Sequence, residues 1–406
     1  MALLQLCTEI GLKVEVAHAN FKLRGSESDA DAALVKEVCA GRGIPCHIRE
    51  LPIDKSKAKD GVQAEARKLR YAWFHGLLEE RGCGALLTAH HLNDRVETFF
   101  MHLMRGSGLR GLRSIPRREG HALRPLLDWT RGDLEAYANA QGLRWREDAS
   151  NATDAYLRNR IRQDLMPAFE GLAEHGLEAT GRSMDFLEEA HQLMLAQAET
   201  FADEWIQALP AGMEALPLRA LDRLADSGTL RKYFFERYSF GPAKAEEVMA
   251  LRHSQSGRMC AGSHWEAWRD RERILFCRKA QVERPVQYLS QPDGSFEAEI
   301  SLRWHVLEAG EIAPSPNPQN ALLDLSLLEW PLLLRPWQPG DRFVPSGMRG
   351  SKKLSDYLTD LKLSVPEKRH VWVLCSGEDV CWVPGYRVDE RYRWKGEAEA
   401  VLFELQ

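Results

Sequence analysis

The first 165 residues of this 406-residue chain predict an α/β fold with a doubly wound parallel sheet, and three observations carry that expectation. Short strand-like runs recur, helix-like stretches separate them, and those stretches are long enough for βαβ crossovers. Lys13–His18 (KVEVAH), Ile44–Leu51 (IPCHIREL) and Ala85–Ala89 (ALLTA) read as strands. In Val62–Glu80 the apolar residues Val62, Ala66, Leu69, Trp73 and Leu77 fall at helical spacing. In Asn93–Arg105 the residues Val96, Phe99, Phe100, Leu103 and Met104 do the same, with Asn93 as the expected N-cap. Ligands of such sheets sit beyond the carboxyl ends of the strands, so the residues that follow each strand are the ones to inspect.

The pattern then changes. Residues 166–313 are expected to form an α-helical domain, because Glu170–Asp226 carries 12 acids against 3 arginines in helical periodicity. Ser315–Asn320 (SPNPQN) marks a linker. Residues 321–406 read as a small α+β domain, with Val371–Cys375 and Val380–Val383 as a hairpin.

Composition narrows the class of protein. At 44% hydrophobic and 28% charged, with a mean hydropathy of −0.40, the chain is neither disordered nor membrane-spanning. The opening residues lack a basic segment and a cleavage site, so a cytoplasmic location is expected. The eight cysteines contain no CxxC pair, the pattern of reduced thiols. A net charge of −5 would argue against a nucleic-acid partner if it were evenly spread. Instead, Arg105–Arg118 holds five arginines and no acid, Tyr156–Arg162 holds three, and Arg335–Lys353 sets five cations against Asp341. Arginines beside glycines suit contact with a phosphate backbone.

Two loops carry candidate chemistry. After Ala85–Ala89 the chain reads His90-His91-Leu92-Asn93-Asp94, which places a carboxylate in the first turn of a helix at a strand end. Asp94 there could hold Mg²⁺ on a substrate phosphate, or only complement the helix dipole. His90 and His91 lack a third ligand at usable spacing, so zinc is not expected. After Lys13–His18 comes Ala19-Asn20-Phe21-Lys22-Leu23-Arg24-Gly25, a loop able to meet a nucleotide.

The segments AHANFKLRG, Asp60–Phe74, Leu86–Leu112, Leu123–Ala138, Gly142–Asn151 and Tyr156–Arg162, with Gly340–Leu358 and Cys381–Arg393, resemble the tRNA(Ile)-lysidine synthase family. These are PP-loop ATP pyrophosphatases with an adenine nucleotide alpha hydrolase-like catalytic domain. The resemblance implies a ligase that forms a carbon–nitrogen bond. ATP adenylates carbon 2 of the wobble cytidine in the CAU anticodon of an isoleucine tRNA and releases pyrophosphate. The ε-amine of L-lysine then displaces AMP and leaves lysidine.

On that basis the catalytic candidates are Asp94, Asn93 and His90, with Mg²⁺ at Asp94. Asn93 stands where many members carry aspartate. ATP is expected at His18, Asn20, Arg24 and His90. The tRNA is expected at Arg110, Arg113, Arg158, Asn159 and Arg162, and its acceptor end at Lys352, Lys353, Arg387 and Arg391. The resemblance leans towards a homodimer. One departure stands out: the family's Ser-Gly-Gly-x-Asp-Ser phosphate loop is absent from this sequence. Without its nest of backbone N–H groups the chain as given is expected to be inactive or crippled. The competing expectations are a non-catalytic tRNA-binding remnant and another PP-loop tRNA-modifying enzyme such as a thiolase.

Overall fold

The computed structural model describes the chain except for residues 24, 54–60, 147–156, 280–285, 298–299, 308–316, 397–398 and 406, and the side chain of Gln63. The expectation placed on Arg24 therefore lies outside the described residues. The chain divides into two compact units, Met1–Leu193 and Met194–Gln406.

The first unit opens with helix α1 (Ala2–Glu9), then strand β1 (Val16–Asn20), helix α2 (Ser26–Gly41) and strand β2 (Cys46–Glu50). β1 and β2 pair in parallel from Val16↔Cys46 to Asn20↔Glu50, so α2 makes the expected crossover. Helix α3 (Val62–Arg81) stops at Gly82, whose φ of +62° is the left-handed conformation that glycine adopts most readily. Strand β3 (Leu86–Leu87) follows, then helix α4 (Leu92–Met104), a single turn α5 (Leu109–Leu112) and the strands β4 (Arg118–Glu119) and β5 (Ala122–Leu123). β3 pairs in parallel with β5, and β4 with β5 antiparallel. The expected parallel pairing is present, divided among the described residues between two sheets.

Beyond helix α6 (Arg131–Ala140), the chain resumes in α7 (Leu157–Arg160), a π-helical turn (Ile161–Leu165) and α8 (Met166–Leu172), before the long helix α9 (Gly176–Trp205). Leu92 and Val96 of α4 pack with Ile161, Met166, Leu177 and Met184, and Phe99, Phe100 and Phe169 close around them. Full burial of a side chain such as Leu92 stabilises by about 1.5–3 kcal/mol. At Gly181 of α9 an added Cβ would stand 3.0 Å from Leu92 Cδ1, so a larger residue there would require the Leu92 side chain to shift by a few tenths of an ångström. Leu103 and Met104 depart from expectation: they are exposed, because the last turn of α4 runs beyond this core.

In the second unit the expected helices α10 (Leu218–Ala225), α11 (Gly228–Glu236) and α12 (Pro242–Ala250) are present. They share the unit with a five-stranded antiparallel sheet that the acidic, helix-like composition did not suggest. Its strands are β6 (Gln207–Leu209), β7 (Met213–Pro217), β8 (Met259–Ala261), β9 (Trp265–Asp270) and β10 (Arg273–Arg278), in the order β6-β7-β10-β9-β8. Phe234, Phe235, Tyr238, Phe240 and Phe276 fill the core beneath it, with Tyr238 and Phe276 stacked at 4.0 Å. The remaining chain builds further antiparallel sheets and two short helices, α13 (Leu354–Asp360) and α14 (Val365–Arg369). The expected hairpin is there as Trp372–Ser376 paired with Asp379–Val383. All eight cysteines are free thiols. Among the described residues no helix is long and apolar enough to cross a membrane.

Candidate active site

The first turn of α4 organises the site. The sequence places Asn93 as N-cap, but the helix begins earlier, on His91. That residue is extended, and its imidazole Nδ1 accepts the Asp94 N–H (3.4 Å) while Asp94 Oδ2 accepts the His91 N–H (3.2 Å). This reciprocal box satisfies two backbone donors and fixes the Asp94 carboxylate at the end of β3. Asn93 is thereby released for another task. Its Oδ1 accepts the Arg131 N–H at 2.8 Å, and its Nδ2 donates to Glu170 at 3.3 Å, which ties α4 to the start of α6 and to the last turn of α8.

One turn along the same face lies Glu97, only 2% exposed. Sequence reasoning passed over it. Arg158 and Arg162, one turn apart across α7 and the π-helical segment, meet the two carboxylates. Arg158 donates to Asp94 Oδ1 (2.7 Å) and Glu97 Oε2 (2.8 Å). Arg162 donates to Glu97 Oε1 (2.6 Å) and Oε2 (2.9 Å), with Asp94 at 3.6 Å. The sequence shows each spacing, an acid pair at i, i+3 and an arginine pair at i, i+4, but not that the two pairs face each other. The π-helical turn at Arg162 is of a kind that recurs at functional sites.

His90 sits beside this cluster with Nδ1 2.9 Å from the Thr88 hydroxyl. Burial lowers its pKa to about 4, against the opposing pull of Asp94, so the imidazole is neutral at pH 7. Burial also lowers His91. Asp94 was expected to hold Mg²⁺. Both of its oxygens accept protein hydrogen bonds, the two acids are matched by two guanidinium groups, and no group of three metal-binding side chains occurs among the described residues. The arrangement does not fit a preformed cation site.

At the end of β1, Asn20 is 4% exposed; its Nδ2 donates to Asp29 (2.9 Å) and its Oδ1 accepts the Lys22 N–H (3.0 Å). Lys22 bridges Asp29 and Glu50, which joins the carboxyl ends of β1 and β2. His18 lies on β1 with its pKa lowered by burial, and Arg70 of α3 covers the Phe21 ring at 5.2 Å. The described nucleotide-loop candidates are thus packed at a strand end, as expected of them.

The other arginine candidates separate. Arg113 donates to Glu188 of α9 at 2.6 Å, and its side chain is 14% exposed. Arg110 is exposed on α5, and Asn159 is half-buried on α7. In the C-terminal region, strands Arg342–Phe343 and Lys352–Lys353 pair, and a bridge between Pro345 and Asp389 brings the Arg387–Arg391 segment alongside. All four cations placed there by sequence therefore belong to one corner. Arg387 donates to the Ser346 carbonyl (3.1 Å), Lys352 is paired with Asp360, and Arg391 holds the fully buried Asp389 (2.9 Å) as well as Asp379 (3.1 Å).

Comparison with known proteins bears on this geometry. Residues 1–169 match the model of the PP-loop domain, and residues 332–404 match that of the TilS substrate C-terminal domain. The assignment therefore does not hang on the Ser-Gly-Gly-x-Asp-Ser signature. A tRNA(Ile)-lysidine synthase of Parabacteroides distasonis is 33% identical over 99% of this chain and 92% of its own length. Those of Bacteroides thetaiotaomicron and Geobacter sulfurreducens are 32% and 29% identical, over 99% and 97% of this chain and 91% and 87% of their own lengths. The chain belongs to the tRNA(Ile)-lysidine synthase family.

Proposed function

We propose that this enzyme, an ATP-dependent modifier of tRNA by family, joins L-lysine to carbon 2 of the wobble cytidine of a CAU-anticodon isoleucine tRNA. The observation that carries the reading is the cluster of Asp94, Glu97, Arg158 and Arg162 at the end of β3. Adenylation of the cytidine needs ATP, and displacement of AMP needs an amine held with its free end directed at the reacting carbon. A free amino acid carries an ammonium and a carboxylate on one carbon. Arg158 and Arg162, held in place by buried Glu97, present guanidinium donors to the carboxylate, and the partly exposed Asp94 presents oxygens to the ammonium. The cluster therefore suits the zwitterionic head of lysine and leaves its ε-amine to react. His90, with its pKa near 4, is a poor proton acceptor and serves as a hydrogen-bonding group.

Mg²⁺ arrives on the ATP phosphates. His18, Asn20 and Arg24 belong to the nucleotide end of the site. Residues 1–165 carry the chemistry, 166–313 contribute to holding the tRNA, and 321–406 grip its acceptor end with Lys352, Lys353, Arg387 and Arg391. A cytoplasmic homodimer completes the proposal. The test is ATP-dependent transfer of labelled lysine to the unmodified tRNA. Labelled product is the expected result, and tRNA binding without lysine incorporation would sink the reading.

A further inference from the structure

The motif Asp60–Phe74 supplies helix α3, whose Arg67 carries a positive charge felt at His90. Arg67, Tyr71 and His75 succeed one another at four-residue spacing along one face of that helix, with Lys68 beside them. They line a cleft of about 420 Å³ against the β4–β5 hairpin, floored by the buried Ala122. The volume lies within the roughly 300–1,000 Å³ of small-ligand sites. Two rings line it, Tyr71 and His75 at 6.4 Å and tilted by 40°, and the exposed His121 stands beyond, edge-on to His75 at 6.3 Å. The Arg67 guanidinium lies over the Tyr71 ring at 4.9 Å. Glu119, on the rim, is engaged by Arg124 at 3.1 Å and does not claim either cation.

We propose that this cleft is a subsite for one splayed-out nucleotide of single-stranded RNA, its base stacked on Tyr71 beside His75 and its phosphate held by Arg67 and Lys68. The chemistry follows from the lining. A ring row accepts the π-face of any base, adjacent cations meet the backbone, and this pairing of stacking platform and positive charge is how unpaired strands are gripped. A duplex, whose bases are stacked on one another, has no free base to offer it. A solvated helix face accounts for the two cations but not for two rings lining a concave wall. The inference rests on the tRNA reading above, and it adds an interaction with the unpaired part of that substrate.

The test uses the whole chain and measures binding of the unmodified CAU-anticodon tRNA, and separately of ATP. Tyr71→Leu should weaken tRNA binding about tenfold with an unchanged salt dependence, and Tyr71→Phe, which keeps the ring, should restore it. Arg67→Gln with Lys68→Gln should also weaken binding. It should reduce the log–log salt slope by about 0.7 to 1.4, as expected when one or two single-strand phosphates are no longer neutralised. ATP binding should stay within about twofold in every variant. Unchanged tRNA affinity in Tyr71→Leu overturns the subsite, as does failure of Tyr71→Phe to restore binding. A loss that appears in ATP binding instead assigns the cleft to the mononucleotide and equally overturns it. If the unsubstituted chain does not bind the tRNA, the tRNA reading itself falls; if it binds and the variants bind as well, only the subsite falls.

Discussion

Two arginine- and lysine-rich regions look alike in sequence and differ in what their cations do. Around α4, Arg158 and Arg162 close on Glu97, which is 2% exposed, and on Asp94. In the C-terminal corner, Lys352 pairs with Asp360, whose side chain is 67% exposed. A surface pair of the second kind contributes about 0–1 kcal/mol and exchanges readily for a phosphate. A buried acid cannot release its cation without stranding a charge. Burial of the acid therefore decides which cations are available to RNA. Arg391 stands between the two kinds: it holds the fully buried Asp389, yet its own side chain is 45% exposed and also meets the exposed Asp379.

The comparison can be broken in several places. Replacing both Arg158 and Arg162 by Ala leaves Glu97 buried without a counterion and should cost about 3–5 kcal/mol in denaturant unfolding. A loss under about 1 kcal/mol would mean that the cluster is not a buried one. Asp94→Asn keeps the shape of the cap and should lower lysine incorporation about 100-fold while tRNA affinity moves less than about twofold. Comparable turnover in that variant would remove Asp94 from the chemistry. Lys352→Gln with Lys353→Gln should leave stability within about 0.5 kcal/mol. It should lower the log–log salt slope of tRNA binding by about 0.9 for each phosphate no longer neutralised, and an unchanged slope would detach this corner from the tRNA backbone.

A further effect is in pH. His90 titrates near 4 in the folded chain and near 6.5 unfolded. Between those values the unfolded chain binds the extra proton, so the contribution of neutral His90 is complete above pH 6.5 and is lost as pH falls towards 4. His90→Gln should flatten stability across that window, and an equally steep fall would place its cause elsewhere.

Much of the framework was legible because it rests on local pattern. The crossover β1–α2–β2 and the hairpin Trp372–Val383 follow from strand-like runs and turn residues at fixed spacing. The five-stranded sheet from Gln207 to Arg278 was not legible. Its strands β6 and β8 are three residues long, too short to show alternation beside strongly acidic helices. At the site, Asp94 could be singled out from its place after a strand. Glu97 could not, because its importance comes from Arg158 and Arg162, which approach from about sixty residues away in the chain. Nor could the pairing state of any cation be read from the sequence, since a row of arginines does not say which acids will fold against it.

The most direct test of the account is the lysine concentration dependence of tRNA modification by the enzyme and by its Glu97→Gln variant. Loss of the buried acid that holds Arg158 and Arg162 in place for the lysine carboxylate should raise the lysine KM by about 10- to 100-fold and leave the ATP KM unchanged. A lysine KM that does not move, or an ATP KM that rises in its place, would contradict the assignment of the amino acid to the Asp94–Glu97 cluster.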